Sequence, residues 1–113
     1  MAWVTYKRYR KNAATRGLSF KITFEQFVAL TKQSCAYCGD EPKQEMFRLG
    51  SHGAYVYNGL DRIDNALGYS ITNVVPCCKS CNFFKGILPV AEFLGRCRRI
   101  TEWQQTSALH VVA

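Results

Sequence analysis

NGLDRIDNALGYSITNVVPCCKSCNFFKG, running from Asn58 to Gly86, is the stretch that decides how this chain folds. Leu60-Asp-Arg-Ile-Asp64 alternates apolar and polar residues, the period of a half-buried strand, with Asp61 and Arg62 nominally on opposite faces. Asn65-Ala-Leu-Gly68 has the chemistry of a turn, and Tyr69 to Val75 reads as a second strand stopped at Pro76. Cys78-Lys-Ser-Cys81 then opens a short helix at Asn82 to Lys85. Ahead of the first strand, Asn58-Gly59 is a strong turn signal and Tyr55-Val-Tyr57 a short strand.

Upstream, residues 3–16 have helical spacing and Gly17 is placed to end the helix. Lys7, Arg8, Arg10, Lys11 and Arg16 spread over that helix among Tyr6 and Tyr9. Two readings fit: an arm that contacts a nucleic-acid backbone, or a solvated helix anchored by its aromatics. Phe20-Lys-Ile22 is a short extended piece. Thr23-Phe-Glu-Gln26 fits a capping box, and Ile22 with Phe27 a hydrophobic staple. The helix so opened runs from about Phe24 to Lys32 and buries Phe24, Phe27, Val28 and Thr31. Residues 40–54 read as a polar loop with weak structure. Downstream, Pro89 suits the first turn of a last helix whose apolar face is Val90, Phe93, Leu94, Cys97 and Ile100.

The cysteines supply the staple. Cys35-Ala-Tyr-Cys38 closes on Gly39, and Cys78-Lys-Ser-Cys81 comes after 39 intervening residues. Two thiolates two residues apart can share one ion, and two such pairs make a four-thiolate zinc site. Such a site is closed, so the zinc is structural. Cys77 could compete with Cys78, but Cys77 to Cys81 has the wrong spacing; Cys77 and Cys97 are expected as buried thiols.

Composition narrows the partners. Formal net charge is +7, with seven Lys/Arg against one Glu in residues 1–33, three against five in 34–76, and five against two in 77–113. Zinc-bound thiolates would leave about +5, which favours a polyanion, nucleic acid ahead of a membrane. No run of 18 apolar residues exists, and the N-terminus lacks an apolar signal core. Residues 1–24 are basic and free of acids, as in a mitochondrial presequence, but their tyrosines and their continuity with the next helix favour a folded segment. Six cysteines without a signal peptide point to a reducing, intracellular location.

Together, Cys-x-Tyr-Cys-Gly, Asp-Arg-Ile-Asp-Asn, Gly-Tyr, Asn-Val-Val-Pro-Cys-Cys and Cys-Asn-x-x-Lys-Gly resemble the HNH endonucleases of the ββα-metal, or His-Me finger, class. More narrowly they are similar to the phage- and virus-encoded branch with Asp-Arg where most members carry Asp-His, and to the tyrosine-containing HNH restriction enzymes. The similarity covers about residues 5–100. It implies an α+β fold, a small zinc-stapled ββα-metal domain with flanking N- and C-terminal helices. Residues 1–113 then form one unit: a basic helical arm (1–33), a zinc knuckle and core (34–88) and a C-terminal helix (89–103).

The resemblance assigns Asp61 and Asn82 as ligands of one catalytic Mg²⁺ or Mn²⁺, hard donors suited to such ions, and Asn73 as a residue tying the loop between the strands. Local alternatives are an ion-paired or turn carboxylate for Asp61 and a helix N-cap for Asn82. The usual His of the motif is the general base; Arg62 stands there instead. A guanidinium has no acceptor and stays protonated, so Arg62 can clamp the phosphate but not activate water. Tyr37 on the knuckle is the first candidate for that task, its phenol expected to ionise more readily near an ion and Arg62; packing on the knuckle is its alternative role. His52 on the loop before the hairpin is a second candidate, and metal-activated water a third. Lys79, Lys85 and the basic helix would contact backbone.

The resemblance thus implies an endonuclease hydrolysing DNA, with RNA possible, as a monomer or homodimer in the cytoplasm, the host's if the protein is viral. Two alternatives remain: a catalytically weak or inactive zinc-containing nucleic-acid-binding module, and a structural component of a nucleoprotein or phage assembly.

Overall fold

The aromatic residues of the first third of the chain organise the core. In the computed structural model, which describes residues 1–47 and 53–106, helix α1 (Ala2–Thr15) ends at Gly17, whose φ of +70° suits only glycine at low cost. Strand β1 (Phe20–Lys21) leads into α2 (Phe24–Thr31). Thr23 caps α2 with the full reciprocal box, accepting from Gln26 N at 3.1 Å while Gln26 Oε1 accepts from Thr23 N at 3.0 Å. Tyr6 stands between the two helices. Its ring meets those of Phe20, Phe24 and Phe27 edge-on at 5.4–5.6 Å, and its hydroxyl donates to Ile22 O at 2.7 Å. Ring pairs of this kind contribute about 0.5–1.5 kcal/mol each beyond area burial. The helix that composition left open between arm and anchored helix is therefore docked into the core. Phe27 and Thr31 are buried as expected, while Phe24 and Val28 are only half-buried.

Among the described residues, three two-stranded ladders complete the framework. Strand β2 (Gln44–Met46) pairs antiparallel with β3 (Tyr55–Tyr57), β4 (Gly59–Arg62) antiparallel with β6 (Val74–Cys77), and β5 (Tyr69–Ser70) parallel with β1. Helix α3 (Lys79–Lys85) leaves β6 directly, so β4, β6 and α3 make the ββα unit, and α4 (Val90–Thr106) closes the described chain.

Several sequence expectations are corrected. Asn58-Gly59 is no hairpin turn, because β3 and β4 run on into different ladders. Asn58 is instead 1% exposed, its amide donating to Gln33 O and Asp40 O at 2.9 and 3.2 Å. Gly59 is required because a Cβ there would stand 2.5 Å from the Tyr9 hydroxyl. The loop 40–54 contains β2, made visible only by its pairing with β3. The second strand is broken into β5 and β6 by a turn at 71–73, and Pro76 lies inside β6, where its carbonyl accepts from Ala36 N at 2.8 Å. Of the apolar face of α4 only Phe93 is buried; Leu94, Cys97 and Ile100 are exposed, so Cys97 is not the buried thiol expected.

Candidate active site

The knuckle is built first. Sγ atoms of Cys35, Cys38, Cys78 and Cys81 all lie within 4.8 Å of one another. Cys38 Sγ and Cys78 Sγ are 3.7 Å apart, close to the roughly 3.8 Å edge of a tetrahedron with 2.3 Å bonds. The quartet can thus hold a metal such as zinc, and Cys78 rather than Cys77 belongs to it. Burial raises the Cys35 thiol, but backbone N–H groups of Cys78, Cys38 and Tyr37 outweigh it and hold its pKa at about 6. Such a thiol is ready to become a thiolate ligand. Cys77, buried beside Cys35 and Asp61, is pushed up by that burial.

The two halves of the knuckle deliver the site. Between Cys35 and Cys38, Tyr37 is held edge-on by Phe93 of α4, with ring centroids 5.6 Å apart, and its hydroxyl donates to Asp61 Oδ2 at 2.7 Å. Burial, followed by this hydrogen bond and the Asp61 charge, pushes the phenol upward. Easier ionisation was expected; in this arrangement Tyr37 is the donor and Asp61 the acceptor.

Asp61 is 6% exposed on β4, and Lys85 at the end of α3 has no exposed side-chain surface. Its ammonium stands 3.1 Å from Asp61 Oδ2 and 3.4 Å from both Oδ1 and the Arg62 carbonyl. The expected backbone contact at Lys85 is therefore corrected: an ammonium this deep cannot reach a polyanion outside. Asn82, three residues earlier on α3, is exposed toward the cleft. It is not a helix N-cap, since Cys78 caps α3 and its sulfur accepts from Cys81 N at 3.4 Å.

Arg62 is held by its own turn. Its Nη1 donates to Asn65 O and Leu67 O, both at 2.8 Å, and its guanidinium lies 5.6 Å from the Tyr69 ring centroid. Among the described residues, Nη2 and Nε of Arg62 have no hydrogen-bond partner. Asn73 ties the same turn, accepting from Asp64 N at 2.9 Å and donating to Asp64 O and Gly68 O at 3.1 and 2.8 Å. Gly68 is needed here: a Cβ would come within 2.6 Å of Ser19 O.

Asp61, Arg62 and Asn82 share one cleft of about 330 Å³, which is also lined by Arg8 and Asn12 of α1 and by Arg16 just past its end. Arg8 Nη2 donates to Tyr57 Oη at 2.8 Å. Lys7 and Arg10 lie elsewhere on α1, over the rings of Trp3 and Tyr6 at 6.0 and 5.7 Å, and Lys11 is exposed. Lys79 lines an adjoining depression of mixed charge, with Arg8 and Lys43 beside Asp40, Glu41 and Glu45. His52 lies outside the described residues.

Comparison with solved structures then decides the architecture. The chain superposes on the rare-cutting HNH restriction endonuclease PacI with a TM-score of 0.64 at 21% identity, over 92% of this chain and 79% of that one. The fold is that of an HNH endonuclease. Among curated proteins, the HNH-fold chain is 34% identical over 98 residues to the uncharacterised protein R423 of Acanthamoeba polyphaga mimivirus. That match takes in 87% of this chain but only 16% of the length of R423. No protein-family model matches.

Within the HNH fold, the contacts of two residues escaped the sequence reading. Lys85 was seen as basic but not as the partner of Asp61, although the i, i+3 spacing to Asn82 on a helix would have turned both toward one side. Phe93 was legible only as part of the apolar face of the last helix, because nothing local connects it to Tyr37.

Proposed function

We propose that this protein is a metal-dependent HNH endonuclease that hydrolyses phosphodiester bonds of DNA, of the Asp-Arg branch found in phages and viruses. One observation carries it: Asp61, Arg62 and Asn82 converge on a cleft whose far wall is cationic. The donor set fits a hard divalent ion. Asp61 Oδ2 is saturated by Tyr37 and Lys85, whereas Oδ1 has only the 3.4 Å ammonium contact and keeps a lone pair for a ligand. Asp61 and Asn82 would hold Mg²⁺ or Mn²⁺, which when bound would neutralise charge on the scissile phosphate and leaving oxygen.

Arg62 clamps the phosphate through Nη2 and Nε, its rotamer fixed by the Asn65 and Leu67 carbonyls. Tyr37, expected as the activating group, acts from this geometry by orienting Asp61; a Tyr37 phenolate attacking a proton of water would first have to leave Asp61. Asn73 keeps Arg62 and its turn in register with β6. Zinc is the ion proposed for the four cysteines, and the reduced thiols suit an intracellular setting. The viral relative supports the phage or virus assignment.

The second reading, a nucleic-acid-binding module without chemistry, is favoured by the same Arg62 and by Lys85, which leave no free base beside Asp61. A cleavage assay separates the two. Plasmid DNA with Mg²⁺ or Mn²⁺ should be nicked by the wild type, at least 100-fold more slowly by Asp61→Ala and Asn82→Ala, and measurably by Tyr37→Phe. Binding without nicking in any divalent ion would leave the module; normal cutting by both Asp61→Ala and Asn82→Ala would remove the site assignment.

A further inference from the structure

The buried pair behind the cleft sets what the cleft can hold by itself. Among the described residues lining it, Asp61 is the sole carboxylate, against Arg8, Arg16 and Arg62. Asp61 is moreover already matched: Lys85 lies 3.1 Å from its Oδ2 with no exposed side-chain surface. Sites that retain a divalent cation unaided gather several anionic oxygens around it. Here a divalent ion entering alone meets a neutral Asp61–Lys85 pair and three guanidinium groups.

We propose that Lys85 is the resident counter-cation of Asp61, and that through it divalent-ion binding and nucleic-acid binding in this cleft are strongly cooperative. The inference rests on the assignment of Asp61 and Asn82 as ion ligands. A phosphodiester seated against Arg62 supplies the negative charge that the cleft lacks, so the ion binds well only when the phosphate is present. Linkage makes the effect reciprocal: the ion must tighten nucleic acid by the same factor. Lys85 acts here as a positioning and charge-setting residue, touching neither substrate nor solvent. Its place is set by α3, where Asn82 turns toward the cleft and Lys85, one turn on, reaches behind Asp61 before Gly86 ends the helix at φ +55°.

The test uses the zinc-loaded full chain and Mn²⁺, read by electron paramagnetic resonance rather than by cleavage. Mn²⁺ is titrated into protein alone and into protein with a phosphorothioate-substituted DNA duplex, with Asp61→Asn subtracting ions held by the duplex itself. Asp61-dependent Mn²⁺ affinity in the wild type is expected to rise 10- to 100-fold with duplex, a coupling of about the usual allosteric size. Lys85→Met should tighten duplex-free Mn²⁺ binding about 10-fold and shrink the coupling, while Lys85→Arg, which keeps the charge, should preserve it. The wild-type comparison stands even if Lys85→Met does not fold. Equal wild-type affinities with and without duplex would overturn the coupling while leaving the nuclease assignment intact. Absence of Asp61-dependent Mn²⁺ in both arms would remove the ligand assignment and the inference together.

Discussion

Lys85 is the residue at which stability and chemistry meet. Removing one partner of a buried ion pair leaves the other charged and desolvated, at a cost of about 3–5 kcal/mol. Lys85→Met should therefore lower unfolding free energy by that amount in a denaturant titration of the zinc-loaded protein. Adding Asp61→Leu to it should recover part of the loss, since an apolar pair of similar volume avoids the stranded charge. If the single variant were as stable as the wild type, the Asp61–Lys85 contact would not be a buried ion pair in solution. Sequence alone brought Asp61, Arg62 and Asn82 forward as candidates, and the fold places all three on one cleft, with Asn73 bonded into the turn beside it. What could not be read was direction. Lys85 looked like a surface cation because its burial depends on where α3 crosses β4, and Tyr37 looked like the missing base because its hydrogen bond to Asp61 spans 24 positions.

Elements read well where their signals are local and poorly where they depend on a distant partner. The Thr23 capping box and the end of α1 at Gly17 are complete within a few residues, and both are present. Strand β2 exists only because β3 pairs with it, and the Asn58-Gly59 dipeptide was overruled by burial against Gln33 and Asp40. The packing of α1 on β4 gives a pH test. Tyr9 donates no charge to the core: burial raises its pKa to about 12, although the Leu60 N–H, 3.3 Å from its hydroxyl, pulls the other way. Between pH 10 and 12 the unfolded chain gives up this proton while the folded chain keeps it. Stability contributed by neutral Tyr9 is thus intact below pH 10 and falls as pH rises, by up to about 1.4 kcal/mol per unit. Tyr9→Phe should flatten this alkaline slope relative to the wild type in urea titrations; an unchanged slope would mean that the hydroxyl is not buried. The cysteine knuckle is the complementary case, since one pair of its ligands comes from the loop after α2 and the other from the junction of β6 and α3. A strong chelator, or Cys38→Ser, should abolish the cooperative thermal transition, and restoring Zn²⁺ should bring it back for the wild type alone.

At the scale of the molecule, charge is distributed by fold rather than by sequence. Helix α1 carries its basic residues on several faces, and they do not act alike once α1 is docked through Tyr6 and Tyr9. Arg8 and Arg16 share the cleft with Asp61, Arg62 and Asn82, whereas Lys7 and Arg10 lean over Trp3 and Tyr6. The described chain spans 52 × 34 × 21 Å, and its long axis exceeds one turn of a duplex, about 34 Å. Each phosphate neutralised by a cation releases counterions and adds about 0.9 to the slope of log affinity against log salt. Arg8→Ala and Arg16→Ala should each weaken binding of a DNA duplex uniformly across sequences and reduce that slope by about 1. Lys7→Ala and Arg10→Ala, equal in charge removed, should change the slope by less than half as much. Fluorescence anisotropy across a salt series checks this, and equal slopes for all four variants would mean that the basic helix acts as a diffuse charge and that the cleft wall has no special share in it.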